Sequence, residues 1–259
     1  NAQRFDASTF LLIDKVCAER TLQLAWERVR RNAGACGVDC VSVGHFEKDS
    51  QNRLLAVKER LKSGTYQPKP VKRVYIPKPG SAEKRPLGIP TVADRVVQAA
   101  VKMVIEPIFE REFAEHSYGF RPGRCCHDAL RRVDELLRSG AVHVVDVDIK
   151  GYFDSIPHQR LMELVGERIA DGRVLTLIES FLKQGIMEGM GQIEPEESEE
   201  GTPQGGVISP LLANIYLNPL DHLMSQRGYE TVRYADDMVI LCHSAEVAEN
   251  ALATLREWS

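Results

Sequence analysis

Long apolar runs are absent from this 259-residue sequence. The most apolar long stretch, residues 89–109, is interrupted by two acidic and two basic side chains. No segment therefore approaches the roughly 20 apolar residues that a membrane span needs. The N-terminal residues also lack the basic head and apolar middle of a secretory leader. We expect a protein of the cytoplasm with no membrane partner.

Cysteines and aromatic residues are also few. The chain has six cysteines and 7% aromatic residues. Cys36, Cys40 and His45 offer three zinc ligands at a spacing that matches no common zinc site, so we predict reduced thiols without zinc. A hydrophobic share of 43% and a charged share of 27% exclude a disordered or collagen-like chain. The length predicts one to two globular domains.

The charge is small in total but unevenly distributed. The net charge is −4, which by itself argues against a nucleic-acid partner. Residues 53–85, however, contain ten basic and two acidic residues, a local net charge of +8, whereas residues 188–200 contain six glutamates and no base. A basic stripe of this kind is typical of proteins that contact a phosphate backbone. The alternative is a lysine-rich solvated surface.

Hydrophobic periodicity predicts an α+β protein, because strands are set among helices without a regular βαβ alternation. The β-branched run at 142–149 predicts a central strand, and residues 185–201 predict an acidic hairpin. The other predicted strands are at 71–76, 84–90, 229–233 and 238–242, and the predicted helices are at 10–32, 46–61, 94–113, 127–137, 158–170, 172–184, 209–226 and 247–258.

Three aspartates stand where predicted strands end. Asp148 ends the apolar run 142–149, and Asp236 and Asp237 separate two further strands. Carboxylates in these positions can converge, and a cation offsets their repulsion; oxygen ligands favour a hard ion such as Mg²⁺. Two such ions about 3.5–4 Å apart activate a 3′-hydroxyl and stabilise a leaving pyrophosphate. The alternative is ordinary turn chemistry, because Asp-Asp is common in hairpins.

Five sequence blocks, in order, resemble the reverse transcriptases encoded by bacterial group II introns. The resemblance covers about residues 65–245, and the match of residues 1–64 to the family's N-terminal extension is weak. The two upstream blocks are 77–90, with Pro-Lys-Pro-Gly and Lys-Arg-Pro-Leu-Gly-Ile-Pro, and 118–130, with Tyr-Gly-Phe-Arg-Pro-Gly-Arg and His-Asp-Ala-Leu. The other three are Asp-Ile-Lys-Gly-Tyr-Phe-Asp at 148–154, the Thr-Pro-Gln-Gly-Gly block at 201–217 and Arg-Tyr-Ala-Asp-Asp-Met-Val-Ile-Leu at 233–241.

The resemblance implies a right-hand polymerase whose antiparallel palm sheet packs on helices. It implies that Asp148 and Asp236 hold two Mg²⁺ ions, for which Mn²⁺ is a substitute, with the Ile149 carbonyl as a third contact and Asp237 as an electrostatic partner. Phe153 is implied as the ring that rejects a ribose 2′-hydroxyl; Tyr152 is the alternative.

The resemblance also implies contacts to the incoming deoxynucleoside triphosphate. Lys78 and Arg85 would clamp the triphosphate across the fingers hairpin, although either could instead contact template phosphate. Gln204 would touch the nascent base pair, because the two glycines after it let the backbone approach closely. Residues 149–152, including Lys150, Gly151 and Tyr152, would curl around the nucleotide.

The implied partners are intron RNA, an RNA template and a DNA primer, with homodimerisation left open. Arg121 and Arg124 are candidates for the template backbone, with plain surface arginines as the alternative. Lys69, Lys72 and Arg73 lie in the basic segment and are further RNA-binding candidates.

We expect residues 1–64 to form a helical extension, 65–145 the fingers and 146–259 a palm that is incomplete at its C-terminal end, with about 158–200 returning to the fingers. The leading hypothesis is an RNA-directed DNA polymerase of the bacterial cytoplasm that also acts as a maturase, aiding the splicing of its intron. One alternative is an RNA-binding module with little catalysis. Another is a reverse transcriptase of a retron, a diversity-generating element or a defence system.

Overall fold

A computed structural model describes the backbone of residues 11–77, 80, 84–149, 151–188, 192–194 and 199–258, and the side chains of all of these except 192–194. Within these ranges, no helix is both long and apolar enough to cross a membrane. The described helices are α1 (Leu12–Val16), α2 (Glu19–Asn32), α3 (Val43–Glu47), α4 (Ser50–Ser63), α5 (Val92–Phe109), α6 (Cys126–Arg138), α7 (His158–Gly166), α8 (Gly172–Leu182), α9 (Ser209–Gln226) and α10 (Ala245–Trp258). The strands are β1 (Val71–Pro77), β2 (Lys84–Ile89), β3 (His143–Val147), β4 (Ile186–Glu188), β5 (Gln192–Glu194), β6 (Glu230–Tyr234) and β7 (Asp237–Cys242).

The chain divides into two compact units. The first contains residues up to Phe109 together with Phe153–Ser209, and the second contains Glu110–Tyr152 and Pro210–Ser259. The first stretch of the first unit ends after α5, inside the predicted fingers segment 65–145. The predicted helix at 127–137 is present as α6, but it belongs to the second unit.

The first unit combines helices with a four-stranded sheet of order β2-β1-β4-β5. β1 and β2 form the predicted basic hairpin, in which Ile76 pairs with Arg85, and β4 adds to β1 in parallel. Helix α2 packs against α5 because both present apolar stripes at helical spacing. Leu22, Trp26 and Val29 are buried on α2.

The second unit is built on a three-stranded antiparallel sheet of order β3-β7-β6. Strands β6 and β7 contact α6 on the side where Val232 and Leu241 join Ala129 and Leu136 in one apolar cluster. Helix α10 contacts β3 and β7. The prediction of an antiparallel sheet packed on helices is confirmed, and so is the α+β class.

The position of β3 in this sheet corrects one prediction. The sequence predicted a central strand at 142–149, but β3 lies at the edge and β7 is central. The edge position leaves Val144 50% exposed. A run of β-branched residues indicates a strand but does not distinguish an edge from a centre, because the number of neighbours depends on tertiary pairing.

Candidate active site

The Tyr-Ala-Asp-Asp segment forms the tip of the β6–β7 hairpin. Tyr234 pairs with Asp237, so that Ala235 and Asp236 make a two-residue connection. Ala235 has a φ of 61°, in the left-handed region. A tight hairpin turn demands such a conformation, although alanine rarely adopts it. The turn leaves Asp236 partly exposed at the tip and Asp237 exposed at the start of β7.

The register of the sheet concerns the position of Asp148. Val147, the last residue of β3, pairs with Met238 on β7, and one further step along the same antiparallel ladder would put Asp148 opposite Asp237. Residues directly opposite in such a ladder share a face, with Cα atoms about 4.5–5.5 Å apart. Asp148 is exposed. The register therefore supports the prediction that Asp148 approaches Asp237, which follows Asp236 in sequence.

The donors at this edge suit a hard divalent cation, because carboxylate and carbonyl oxygens are the ligands that Mg²⁺ prefers. Among the side chains described, however, no group of three or more His, Cys, Asp or Glu is arranged to hold a metal ion. The Ile149 carbonyl, the predicted third contact, accepts a hydrogen bond from the Tyr152 amide at 3.3 Å. The two-ion site thus stays a prediction, supported by donor type and strand register.

Tyr152 and Phe153 differ in their surroundings. Tyr152 is buried, and its hydroxyl donates to the Ala213 carbonyl at 2.6 Å. Burial raises the pKa of this phenol far above its ordinary value. Phe153 is half-buried, and its carbonyl accepts a hydrogen bond from the Thr202 amide at 2.6 Å. Tyr152 is therefore a core residue, and the contact of Phe153 with a sugar stays a prediction.

The Pro-Gln-Gly-Gly loop is held against β2 within the first unit. The Gln204 carbonyl accepts from the Gly88 amide at 2.7 Å. Gly205 has a φ of +111°, and a Cβ there would overlap the Gly88 carbonyl, so only glycine fits. The Gln204 side chain donates to Asp154 at 3.1 Å, and burial raises the pKa of the Asp154 carboxyl.

A small cavity of about 90 Å³ lies beside this loop. It is lined by charged and polar side chains, among them Arg73, Asp154, Thr202 and Gln204. Thr202 is buried, and its hydroxyl has no hydrogen-bond partner among the residues described. The predicted base-pair contact at Gln204 thus sits in a polar recess of the first unit.

Four nucleotide-site predictions remain, at Lys78, Arg85, Lys150 and Gly151. Lys78 and Lys150 lie outside the described residues. Arg85 is exposed on β2, where a phosphate could reach it. Gly151 is exposed with a φ of 63°.

Of the three RNA-binding candidates in the basic segment, Lys69 and Lys72 are exposed. The Lys69 ammonium lies 3.6 Å from Asp39. Arg73 forms an ion pair with Glu188 at 3.1 Å, and hydrogen bonds from Tyr75 and Arg73 lower the pKa of that glutamate. Glu188, the first residue of the acidic segment, therefore contacts the basic hairpin.

The arginines of the Gly-Phe-Arg-Pro-Gly-Arg loop make contacts within the protein. The Arg121 side chain is 4% exposed and contacts Glu110 at 2.7 Å. Its Nη1 atom donates at 2.7 Å to each of the Ala114 and Ser117 carbonyls. Arg124 donates to the Glu115 carbonyl and lies over the Tyr118 ring. These contacts favour a structural role for Arg121 over the predicted contact with RNA.

One buried ion pair beneath the hairpin was not foreseen from the sequence. Arg233, the last residue before Tyr-Ala-Asp-Asp, contacts Asp221 of α9 at 2.6 Å, and both side chains are almost fully buried. The available signal was an aspartate within the largely apolar helix α9. The sequence did not reveal Arg233 as the partner of Asp221, because the two residues meet only in the folded chain.

Known proteins resemble this chain in sequence. The model of the family described as reverse transcriptase (RNA-dependent DNA polymerase) matches residues 76–259. The group II intron-encoded protein LtrA of Lactococcus lactis subsp. cremoris is 45% identical over 177 residues, which are 68% of this chain and 29% of that protein. Protein YkfC of Escherichia coli (strain K12) is 42% identical over 201 residues, 76% of this chain and 52% of that protein. The chain thus spans between about a third and a half of these relatives.

Solved structures show the same fold at lower identity. A chain of a Cas6-RT-Cas1–Cas2 complex aligns with a TM-score of 0.58 and 24% identity over 94% of this chain and 41% of that chain. A chain of telomerase from Candida albicans aligns with a TM-score of 0.57 and 13% identity over 75% of this chain and 41% of that chain. These likenesses confirm the predicted fingers-palm fold class. A group II intron-encoded protein is among its sequence relatives, and the family match, which covers most of the chain, shows that this protein belongs to the reverse transcriptases.

Proposed function

We propose that this chain is the fingers and palm part of an RNA-directed DNA polymerase encoded by a group II intron. It would add deoxynucleotides to the 3′-hydroxyl of a DNA primer on an RNA template. It would also bind its intron RNA as a maturase, in the bacterial cytoplasm. The observation that supports the proposal is the strand register: β3, which ends one residue before Asp148, pairs with β7, the strand that begins at Asp237 of the hairpin.

The chemistry would be centred on the three carboxylates. Asp148 and Asp236 would hold two Mg²⁺ ions, with Mn²⁺ as a substitute, while Asp237 adds negative charge beside them. When bound, the metal would lower the pKa of the primer hydroxyl and offset charge on the leaving pyrophosphate. The protein would hold the oxygens of these carboxylates in place before the reaction, so that they rearrange little during it.

Other side chains would select and hold the nucleotide. The ring of Phe153 would exclude a 2′-hydroxyl by collision, because a rigid half-buried ring leaves no space for an extra oxygen. Arg85 and Lys78 would bind the triphosphate, and Gln204 would contact the nascent base pair. Gln204 would give up its hydrogen bond to Asp154 and form one to the nucleotide instead. This exchange would cost little free energy, because one polar partner replaces another.

A comparison of primer extension with RNA binding tests the proposal. Wild-type protein should extend a DNA primer on an RNA template with Mg²⁺ and stop when the metal is chelated. Asp236→Asn should abolish extension while RNA affinity stays within about twofold, because the carboxylate at the hairpin tip is not a phosphate contact. Asp134→Asn is the matched control, since Asp134 is exposed on α6 and pairs with Arg138 of the same helix. Equal extension by Asp236→Asn and wild type would refute the catalytic assignment.

A second candidate function is an RNA-binding module without catalysis. The exposed Lys69, two residues before β1, and the exposed Lys72 on β1 favour it, because lysines near a strand edge suit shape-dependent contact with RNA phosphates. It predicts RNA binding by wild type with no Mg²⁺-dependent extension. Sedimentation of the free and RNA-bound protein would test homodimerisation at the same time.

A further inference from the structure

The hairpin that carries Asp236 rests on a buried polar cluster centred on Arg233, whose side chain is 1% exposed. All five guanidinium N–H groups have partners. Nε donates to Asp221 Oδ1 at 2.8 Å, and Nη2 donates to Asp221 Oδ2 at 2.6 Å and to Ser117 Oγ at 2.7 Å. Nη1 donates to Asn214 Oδ1 at 2.9 Å and to the Ala235 carbonyl at 2.7 Å. We call Arg233, Asp221, Asn214 and Ser117 the Arg233 cluster.

The cluster joins three segments of the second unit. Asp221 and Asn214 lie seven residues apart on α9, two helical turns, and so share one face. Ser117 belongs to the loop that precedes α6. The Tyr118 amide donates to the Arg233 carbonyl at 2.8 Å, and the Arg233 amide donates to the His116 carbonyl at 3.0 Å. The loop therefore lies beside β6 and pairs with it at Arg233, the residue before Tyr-Ala-Asp-Asp.

The same three segments restrain Ala235 from both sides. Its carbonyl accepts from Arg233. Gly119 packs so closely against its amide nitrogen that a Cβ at position 119 would overlap that atom, and Asn214 fixes Gly119 by donating to its carbonyl at 2.8 Å. Ala235 is thus confined in a left-handed conformation that alanine disfavours. The next residue in the chain is Asp236.

The composition of the cluster indicates a function other than stability. A buried ion pair is weak evidence for stability, because well-packed apolar residues of the same volume often do as well. What a fully satisfied polar network does supply is a single defined geometry. Here that geometry ends at the peptide bond between Ala235 and Asp236.

We propose that the Arg233 cluster is a positioning element that fixes the Asp236 carboxylate for metal binding. The inference rests on the proposed function, since it takes Asp236 as a metal ligand. Arg233 and Asp221 are positioning residues: they are buried below the hairpin and act through Ala235. Substitution of Arg233 or Asp221 should therefore weaken metal binding and slow the chemical step more than it weakens the binding of nucleic acid or nucleotide.

The test compares Asp221→Asn and Arg233→Lys with Glu230→Gln. Glu230 lies on the same strand as Arg233, at its opposite end, and its ion pair with Arg132 is at the surface. For the full chain, three quantities are measured: Mn²⁺ affinity by electron paramagnetic resonance, hydrogen exchange in the peptide covering 234–238, and steady-state primer extension. All are read at a temperature where each variant is folded by circular dichroism.

We expect Asp221→Asn to weaken Mn²⁺ affinity, to speed exchange at 234–238 and to lower kcat by about tenfold or more, since small displacements of reacting groups cost that much. KM for the nucleotide and the Kd for primer-template should stay within about twofold, because those contacts lie elsewhere. Arg233→Lys, which keeps the charge but loses the fork, should lie between wild type and Asp221→Asn. Glu230→Gln should match wild type throughout.

A folded Asp221→Asn variant with wild-type Mn²⁺ affinity and kcat would overturn the inference. If Asp221→Asn does not fold, Gly119→Ala provides a second test without a change of charge, since its Cβ would press on Ala235 from the other side. Unchanged Mn²⁺ affinity in that variant would overturn the inference equally. Wild-type protein that binds Mn²⁺ but extends no primer would refute the proposed function alone, because the metal and exchange readouts still test the positioning.

Discussion

Arg121 tests whether the arginine-rich loop binds RNA or holds the second unit together. The Arg121→Met variant keeps much of the apolar length but removes the hydrogen bonds that Arg121 donates to Glu110 and to the Ala114 and Ser117 carbonyls. Breaking a buried ion pair costs about 3–5 kcal/mol. The Glu110 side chain is 28% exposed, so water can partly solvate its carboxylate once Arg121 is gone. The expected loss in the free energy of unfolding is therefore about 2–3 kcal/mol. At about 2–4 °C per kcal/mol for a chain of this size, Tm should fall by about 4–12 °C.

The assay combines thermal unfolding by circular dichroism with RNA binding at a temperature where the variant is folded. Arg138→Met is the matched control, because Arg138 is 79% exposed and pairs with Asp134 within its own helix; its Tm should change by less than about 2 °C. RNA affinity per folded molecule should be the same for Arg121→Met and wild type. An unchanged Tm together with a loss of RNA affinity of more than about threefold would refute the structural assignment.

Three further predictions concern sugar selection, salt and pH. Phe153→Ala should raise ribonucleotide incorporation by more than about tenfold while deoxynucleotide use is largely kept; an equal loss of both activities would identify Phe153 as a packing residue. RNA affinity should fall steeply between about 50 and 200 mM salt despite the net charge of −4; flat titrations would exclude phosphate contacts as its source. Burial raises the pKa of the Asp94 carboxyl, so the folded state favours the neutral acid. This preference stabilises the folded protein at low pH. The stabilisation is lost as pH rises from about 4 through the raised pKa. In denaturant titrations, Asp94→Asn should flatten this pH dependence; an unchanged slope would show that Asp94 is not its source.

The hairpin was predictable because its signals are local. Tyr-Ala-Asp-Asp between two apolar strands indicates a tight turn, and the structure has that turn at 235–236. The basic β1–β2 hairpin was predictable for the same reason, since prolines bound a segment that contains Val71, Val74 and Ile76. Helices such as α9 matched their predicted limits because periodicity over 18 residues is a strong pattern.

Features set by tertiary pairing were not predictable. The sequence predicted β3 as a central strand, yet its position depends on the β7 register, which no local pattern encodes. A loop arginine looks alike whether it faces solvent or a glutamate, so the ion pair of Arg121 with Glu110 could not be read from the sequence. The Arg233 cluster joins residues up to 116 positions apart, and only the folded chain shows that they meet.

The central claim is that Asp148 and the Asp236-Asp237 hairpin form one metal-dependent polymerase site. Its most direct test is primer extension on an RNA template by wild type and Asp148→Asn, each with Mg²⁺ and with the metal chelated. We expect extension by wild type with Mg²⁺ but not with the metal chelated, no extension by Asp148→Asn, and equal RNA binding by both proteins. Extension by Asp148→Asn at the wild-type rate, or extension by wild type with all divalent metal removed, would contradict it.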